Sequence, residues 1–311
     1  MVRRKAIIMI AAVVLGGGGW SRADTFHFQQ GAADPCHPEF GIYENAHDLT
    51  IGSFGTWPIN NPDRLRMRYA SGEETYNTLI RFEGIDSVLQ GHTVRNASIK
   101  LTWQAENVAW QRAYIDTYTS TKLWDDPNCD WYDADIGVLS WDDPGAQHDP
   151  NDRGDLISTT DMGHRSLPGG VQYTDGQQFI FSLSPEIVQN WIDQPNSNNG
   201  LILTMNSDSA PSNTINDVTF SSSDDSNISA RPILIITTCL GIPADINGDC
   251  YVDLGDYAIL ASQWMDAPGT PSADIAPKNG DGIVNFLDLQ VLVSQWLQCS
   301  DPDNLDCNWG Q

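Results

Sequence analysis

Short runs in which apolar and polar residues alternate, or β-branched residues cluster, recur between Thr25 and Thr238. Turns rich in Gly, Pro, Asn and Asp separate these runs, which is the pattern of successive antiparallel strands. The clearest predicted strands are residues 77–82, 96–103, 112–119, 177–184, 200–205 and 231–238. A helical period occurs in this part at residues 184–192. The spacing predicts a mainly β chain with one antiparallel, jelly-roll-like β-sandwich.

The pattern changes after Cys239, where residues 256–264 and 288–296 align at an offset of 32. Apolar residues recur in both segments at i, i+3, i+4 and i+7, which places them on one face of a helix. Two such helices can pack face to face, although each alone is too short to be stable in water. We therefore expect a small C-terminal α domain whose two helices need a further stabilising interaction.

An Asp- and Asn-rich segment precedes each of these predicted helices. Residues 245–256, DINGDCYVDLGD, carry oxygen donors at positions 1, 3, 5, 9 and 12, and a calcium loop adds a backbone carbonyl at position 7. In the second copy, position 1 falls on Pro277, and the nearest upstream acid is Asp274. Either an insertion lets Asp274 reach the loop, or this site is weaker. The predicted ligands are Asp245, Asn247, Asp249, Tyr251, Asp253, Asp256, Asp274, Asn279, Asp281, Ile283, Asn285 and Asp288.

An Asp/Asn-rich turn followed by a helix cap would explain one such segment without a metal. Two copies before matching helices favour two calcium ions. Cys250 stands at position 6, where the loop usually has glycine for its sharp turn. A residue other than glycine at positive φ costs on the order of 1 kcal/mol, which is small beside several charge-assisted contacts. We expect the loop to tolerate Cys250.

The two units DINGDCYVDLGDYAILASQW and NGDGIVNFLDLQVLVSQW, within residues 239–311, resemble a type I dockerin domain. The resemblance implies two calcium ions, folding coupled to metal binding, and docking onto a cohesin domain of a scaffold or cell-surface protein. In that family, loop positions 10 and 11 help to choose the partner and are often small polar residues. Here they are Leu254-Gly255 and Phe286-Leu287.

Fragments across the first part of the chain are similar to the secreted DNRLRE domain family, which is related to carbohydrate-binding β-sandwich modules. The fragments, in chain order, are PDRLRMR, LIRFEGI, NASIKL, LWDDPNCDW, WDDPG, VQNWI, NGLIL, FSSSD and RPILII. The name-giving motif is loosely represented by the first of them, at Pro62–Arg68. The resemblance implies a jelly-roll-like fold that binds sugar and has no catalytic role.

Sugar binding needs flat aromatic rings that stack on pyranose faces, with cations nearby where the polysaccharide is acidic. The candidate residues are Arg64, Arg66, Arg68, Trp110, Trp124 and Trp131. The three arginines alternate, so we expect them on one face of a strand. A plain solvated face explains that alternation equally well, and we expect most of the rings to be ordinary core.

A third calcium ion in the sandwich is a further hypothesis. Residues 148–155, HDPNDRGD, offer Asp149, Asn151, Asp152 and Asp155 as oxygen ligands. Turn chemistry predicts the same residue types at these positions.

Residues 1–23 have the organisation of a secretory signal, with a basic start, a short apolar run and a cleavage site after Ala23. The apolar run is shorter than a membrane-spanning helix, which needs about 20 residues. We expect no transmembrane segment and a secreted, extracellular or cell-surface protein. The expected organisation is a signal peptide (1–23), a sandwich (24–238) and a dockerin-like domain (239–311).

Acidic side chains outnumber basic ones by 41 to 16, and four of the basic ones lie in the predicted signal. A surface of this charge repels phosphate, which excludes nucleic acid as a partner. Six cysteines in an exported chain predict disulfides. We expect them to pair within two groups, Cys36 with Cys129, and Cys239, Cys250, Cys299 and Cys307 among themselves.

Three functions follow from these patterns. The first is a non-catalytic adaptor that binds polysaccharide, acidic or neutral, and docks through the calcium-dependent module. The second is a polysaccharide lyase or glycosidase within the sandwich: the sequence has no GxSxG or HExxH motif, but glycoside hydrolysis needs only two carboxylates about 5–10 Å apart. The third is a structural cell-envelope protein.

Overall fold

The computed structural model describes residues 24–53, 61–70, 74–104, 113–126, 128–147, 149–163, 174–206, 215–240, 242–277 and 280–299. The predicted signal peptide, Trp110 and Asn279 lie outside these described residues.

The described part of the chain is mainly β. Its strands are β1 (Asp24–Gln29), β2 (Ala32–Ala33), β3 (Ile42–Tyr43), β4 (Ala46–Gly52), β5 (Arg64–Ala70), β6 (Tyr76–Phe82), β7 (His92–Thr102), β8 (Tyr114–Ser120), β9 (Asp133–Asp135), β10 (Leu139–Ser140), β11 (Arg153–Asp161), β12 (Gln178–Leu183), β13 (Leu201–Met205), β14 (Ile215–Ser221) and β15 (Ile233–Leu240). Its helices are α1 (Asp86–Leu89), α2 (Pro185–Asp193), α3 (Leu254–Ser262) and α4 (Phe286–Ser294). None of these helices is long and apolar enough to span a bilayer.

Two antiparallel sheets dominate the fold. The four-stranded sheet has the order β1, β15, β7, β12, and the seven-stranded sheet has the order β11, β8, β13, β6, β5, β14, with β4 also paired to β6. Each of the six clearest predicted strands overlaps an observed strand, and residues 184–192 overlap α2. The prediction of a mainly β chain with antiparallel sheets is therefore confirmed, while the jelly-roll assignment stays a prediction.

Apolar side chains from both sheets share one core. Leu65 and Met67 of β5 are fully buried, and they meet Ile99 of β7 and Phe181 of β12 in the same cluster. Alternate residues of a strand point to opposite faces, so one face of each sheet contributes to this core. The arrangement is that of two sheets packed face to face.

The outer face of the seven-stranded sheet is also covered. Ile51, Leu79 and Ile202 point away from the main core and join Trp124 and Trp141 in a second buried cluster. The two tryptophans come from the segment that follows β8. This cover explains why every residue of β6 is buried.

The two C-terminal loop-helix repeats exchange backbone hydrogen bonds. Each loop's valine, Val252 or Val284, pairs with the segment that follows the helix of the other repeat. The bonds run from Val252 N to Gln298 O (2.9 Å), Leu297 N to Val252 O (2.9 Å), Val284 N to Asp266 O (3.0 Å) and Met265 N to Val284 O (2.8 Å). Both valines are fully buried in one apolar cluster with Leu260 and Leu292. The backbone of each loop's valine is therefore hydrogen-bonded only when the other repeat is folded beside it.

The last strand is linked covalently to the first loop. Cys239 of β15 forms a disulfide with Cys250, and Arg95 donates a hydrogen bond to the carbonyl of Asp249 (3.2 Å). The predicted boundary between residues 238 and 239 falls inside β15, which continues to Leu240.

Candidate functional site

The carboxylate of Asp245 organises the first loop. It accepts hydrogen bonds from the backbone N–H groups of Asp249 (3.1 Å) and Cys250 (2.9 Å). Burial, together with the negative charges of Asp256 and Asp249, raises the pKa of Asp245 to about 6. A cation among these carboxylates would offset that repulsion.

Asp256 closes the loop from inside the protein. Its side chain is fully buried and accepts backbone hydrogen bonds from Ile246 (2.7 Å), Asn247 (3.0 Å) and Asp253 (2.8 Å). These three bonds join the start of the loop to the start of α3. The backbone of the first loop thus positions the Asp256 carboxylate, which would complete the set of calcium ligands.

The other predicted ligands of the first loop bond to one another. The side chain of Asn247 accepts from the backbone of Asp249 (3.0 Å) and donates to its carboxylate (2.8 Å). Asp249 in turn accepts from the backbone N–H of Tyr251 (2.9 Å). Asp253 accepts from the N–H of Gly255 (2.6 Å).

Asp274 takes the place of Asp245 in the second loop. It accepts from the backbone N–H groups of Asp281 (3.0 Å) and Gly282 (2.7 Å), the residues at loop positions 5 and 6. Asp245 makes the same two contacts in the first loop. The extra residues before the loop therefore let Asp274 reach it.

Asp288 repeats the role of Asp256. It is fully buried and accepts from the N–H groups of Ile275, Ala276 and Asn285, each at 2.7 Å. Asn285 also donates to the carbonyl of Ile283 (3.0 Å), which is the predicted backbone ligand. The second loop thus repeats the hydrogen bonds of the first.

The helices begin two residues earlier than the hydrophobic period predicts. Asp253 and Asn285 are the N-caps, and Asp256 and Asp288 return a bond to them from the third helical position as capping boxes. Asp256 therefore does not open its helix. The D-x-x-D and N-x-x-D spacing contained this signal, because a capping residue three positions before an acid marks a helix start.

The donor set of both loops is chemically suited to calcium. Carboxylates, an amide and backbone carbonyls are the oxygen ligands that Ca²⁺ prefers. Among the described residues, no three acidic side chains of either loop bring ligand atoms within 4.8 Å of one another. The residues fit the ion in chemistry and order along the chain, and calcium binding stays a prediction.

The cysteines correct one expectation. Cys250 has φ 72° at the sharp turn and is bonded to Cys239, so this pair lies within the expected group. Cys36 and Cys129 are instead free. Cys36 lies beside the four-stranded sheet, whereas Cys129 is buried in the cluster outside the seven-stranded sheet, so the sandwich separates them. Cys299 is in a disulfide whose partner lies outside the described residues.

The residues proposed for a third calcium ion do not converge. Asp152 is fully buried and accepts from the ammonium of Lys122 (2.7 Å) and from two backbone N–H groups of the preceding turn (2.8 and 2.9 Å). Asp149, Asn151 and Asp155 are exposed. An ammonium in contact with the carboxylate repels a second cation, which weighs against calcium at Asp152, and a third calcium ion stays a prediction.

The three arginines lie on the outer face of β5, as their alternation predicts. The guanidinium of Arg66 contacts both carboxylate oxygens of the buried Asp217, with Nε to Oδ1 at 2.8 Å. Arg68 lies 3.8 Å from the same carboxylate, and Arg64 lies 3.4 Å from Asp63. These positive charges are neutralised within the protein, which weakens their proposed role in binding an acidic sugar.

The candidate tryptophans differ in exposure. Trp124 is 1% exposed and the guanidinium of Arg81 covers its ring at 4.5 Å, so it offers no face to a sugar. Its predicted role is corrected to core packing. Trp131 is partly exposed and lies beside the exposed Tyr132.

A cavity of about 480 Å³ lies between β4 and the segment that covers the seven-stranded sheet, and Trp131 is part of its wall. We call this cavity the cleft. The charged, amide and aromatic residues of its lining are Asp48, Asn61, Arg64, Asp126, Asp130, Trp131, Tyr132 and Asp224. Sequence patterns did not indicate the acidic residues of this set, because β4 and residues 126–132 are far apart along the chain.

Carboxyl groups are crowded in the cleft. Burial, together with the negative charges of Asp224 and Asp126, raises the pKa of Asp48 to about 7, while the hydrogen bonds from Ser223 lower it. Burial also raises the pKa of Asp126. An anionic ligand would meet the same repulsion, whereas neutral or cationic ligands would not.

No protein-family model matches the chain, and no curated protein is significantly similar to it. The two family resemblances therefore remain predictions from the residues themselves.

Proposed function

We propose that this chain is an exported, non-catalytic adaptor. Its sandwich binds polysaccharide, and its C-terminal helix pair docks in a calcium-dependent manner onto a cohesin-like or other cell-surface partner. The observation that carries the proposal is the exposure of Leu254 and Phe286, the first residues of α3 and α4, at 72% each. Large apolar side chains that are this exposed on a small domain are typical of an interaction surface.

The exposed surface extends along both helices. Of the predicted apolar faces, Leu260 and Leu292 are buried, whereas Tyr257 and Val293 are exposed, at 46% and 62%. A groove of about 280 Å³ lies between the helices, with Trp264 in its wall. The helix pair thus buries only part of its apolar surface within the domain. The part that stays exposed supports docking.

Calcium would be held by the two sets of loop oxygens described above. When bound, it supplies positive charge that stabilises the crowded carboxylates and couples each loop to its helix. Among the ligands, Asp256 and Asp288 contribute most to coupling each loop to its helix. Each of these carboxylates is buried and accepts hydrogen bonds from both ends of its loop.

The first prediction concerns docking. Replacing both Leu254 and Phe286 with serine should weaken binding to a cohesin by about tenfold or more, because buried apolar anchors carry most interface energy. Calorimetry with a panel of type I cohesin domains and the calcium-loaded chain measures this effect. Ile180→Ser, which changes an exposed residue of β12, is the matched control. Equal affinity of the double variant and the wild type would contradict docking through this face.

The second prediction concerns sugar binding. The chain should be retarded in affinity gels containing neutral xylan and not in gels containing alginate, because acids dominate the cleft. Trp131→Ala should abolish the retardation by removing the stacking ring. Trp296→Ala, on the C-terminal surface, should leave it unchanged. Retardation by alginate alone would contradict the proposed ligand class, and absence of retardation on every gel would remove the sugar-binding function.

A second candidate function is glycoside hydrolysis. Asp48 and Asp126 both line the cleft and both have a raised carboxyl pKa, which is the property of a general acid. Release of reducing sugar from the same polysaccharides would favour this function over the adaptor.

A further inference from the structure

A cluster of three different donor groups lies beside β1, away from the calcium loops. His27 belongs to this edge strand, and Asp34 and Cys36 lie in the turn after β2. The ligand atoms of the three side chains all lie within 4.8 Å of one another. In the part of the chain that the structure describes, no other three His, Cys, Asp and Glu side chains meet this condition.

The backbone holds Asp34 between the other two donors. One carboxylate oxygen accepts from the N–H of His27 (2.8 Å), and the other accepts from the N–H of Cys36 (2.8 Å). Asp34 itself is 8% exposed. The backbones of His27 and Cys36 therefore hold the Asp34 carboxylate in position. Each carboxylate oxygen keeps a lone pair for another partner.

The imidazole of His27 is incompletely bonded. Among the residues that the structure describes, its buried Nδ1 has no hydrogen-bond partner, although it lies 3.5 Å from Asp34 Oδ1. A buried polar atom without a partner costs about 1–3 kcal/mol, so a native site of this kind calls for an additional ligand. The thiol of Cys36 is free and exposed.

We propose that His27, Asp34 and Cys36 bind a divalent transition-metal ion of the zinc class. Imidazole nitrogen, thiolate and carboxylate are the ligands of zinc, whereas calcium takes oxygen ligands. Two ligands of a tetrahedral zinc ion are separated by roughly 3.4 Å, which is close to the observed separation of His27 Nδ1 and Asp34 Oδ1. This site is independent of the calcium loops and of the proposed function.

Three protein ligands leave one position of a tetrahedral ion open. A cavity of about 190 Å³ is lined by His27 and Asp34, with Tyr43 and Glu44 farther along its wall. The cavity has room for a water molecule or a small ligand in the fourth position. The geometry is therefore closer to an exchangeable zinc site than to a closed structural one.

Cobalt is a suitable probe, because it replaces zinc and reports thiolate ligation by intense near-ultraviolet absorption. The mature chain, with its disulfides intact and Cys36 as the free thiol, should bind cobalt at this site with that absorption, and zinc should abolish the absorption by displacement. Excess calcium should leave it unchanged. A folded wild-type chain without thiolate-to-cobalt absorption would overturn the proposal.

Variants locate the site. Cys36→Ser should remove the absorption and weaken zinc binding in calorimetry by about tenfold or more, since serine is a poor zinc ligand. His27→Ala should do the same. Cys129→Ser, which changes the other free cysteine, should bind as the wild type does, and circular dichroism checks that every variant is folded. Unchanged absorption in Cys36→Ser would also overturn the proposal.

Discussion

Replacing Asp256 with alanine is expected to destabilise the first loop-helix repeat and to remove calcium binding at its loop. The carboxylate is fully buried and accepts three backbone N–H groups. The buried N–H of Ile246, left unpaired, costs about 1–3 kcal/mol, in addition to the lost ligand. Calcium calorimetry of the full chain, with circular dichroism before and after EDTA, measures both effects.

Asp253→Ala is the matched control in the same loop. Asp253 is an exposed N-cap that accepts from Gly255, so its loss should cost about 1 kcal/mol. Because the ninth loop position often binds calcium through water, Asp253→Ala should weaken the first site less than Asp256→Ala and leave two calcium-binding events. Asp288→Ala should reproduce the larger effect in the second repeat. Two undiminished calcium sites in Asp256→Ala would contradict the predicted ligand role.

Replacing Arg66 with alanine is expected to destabilise the sandwich by roughly 3 kcal/mol, because removing one partner of a buried ion pair leaves the other charge uncompensated. Asp217 is 3% exposed, and both of its carboxylate oxygens contact the Arg66 guanidinium. Arg68, at 3.8 Å, compensates only part of the charge. Urea unfolding followed by circular dichroism measures the change.

Arg64→Ala makes the same chemical change on the same strand. Its partner Asp63 is half exposed, and surface ion pairs contribute about 0–1 kcal/mol. We therefore expect little change in the free energy of unfolding. Similar destabilisation by both variants would show that lost packing on β5, rather than the buried charge of Asp217, determines the effect.

The sequence predicted those features that depend on residues close together along the chain. Alternation located β5 and the shared face of Arg64, Arg66 and Arg68, since side chains in a strand repeat every two residues. The offset of 32 residues identified the two C-terminal repeats. The sharp turn at Cys250 followed from its position in the loop.

Sequence patterns could not predict contacts between residues that are far apart along the chain. Periodicity could not show that Asp217, on β14, neutralises Arg66, or that Lys122 occupies the carboxylate of Asp152. Counting from Pro277 left the role of Asp274 open, because the spacing of the second loop differs from that of the first. The cleft and the cluster at His27 likewise combine residues that only the folded chain brings together.

The disulfide between Cys239 and Cys250 has a mechanical consequence. Tension applied at the C-terminal end would pass from Cys250 directly into β15, and the residues between the two cysteines would carry none of it. Because β15 lies between β1 and β7, the pull would act along a strand held on both edges, where many hydrogen bonds must shear together. The junction between β15 and the first loop can therefore resist tension through the hydrogen bonds of the four-stranded sheet.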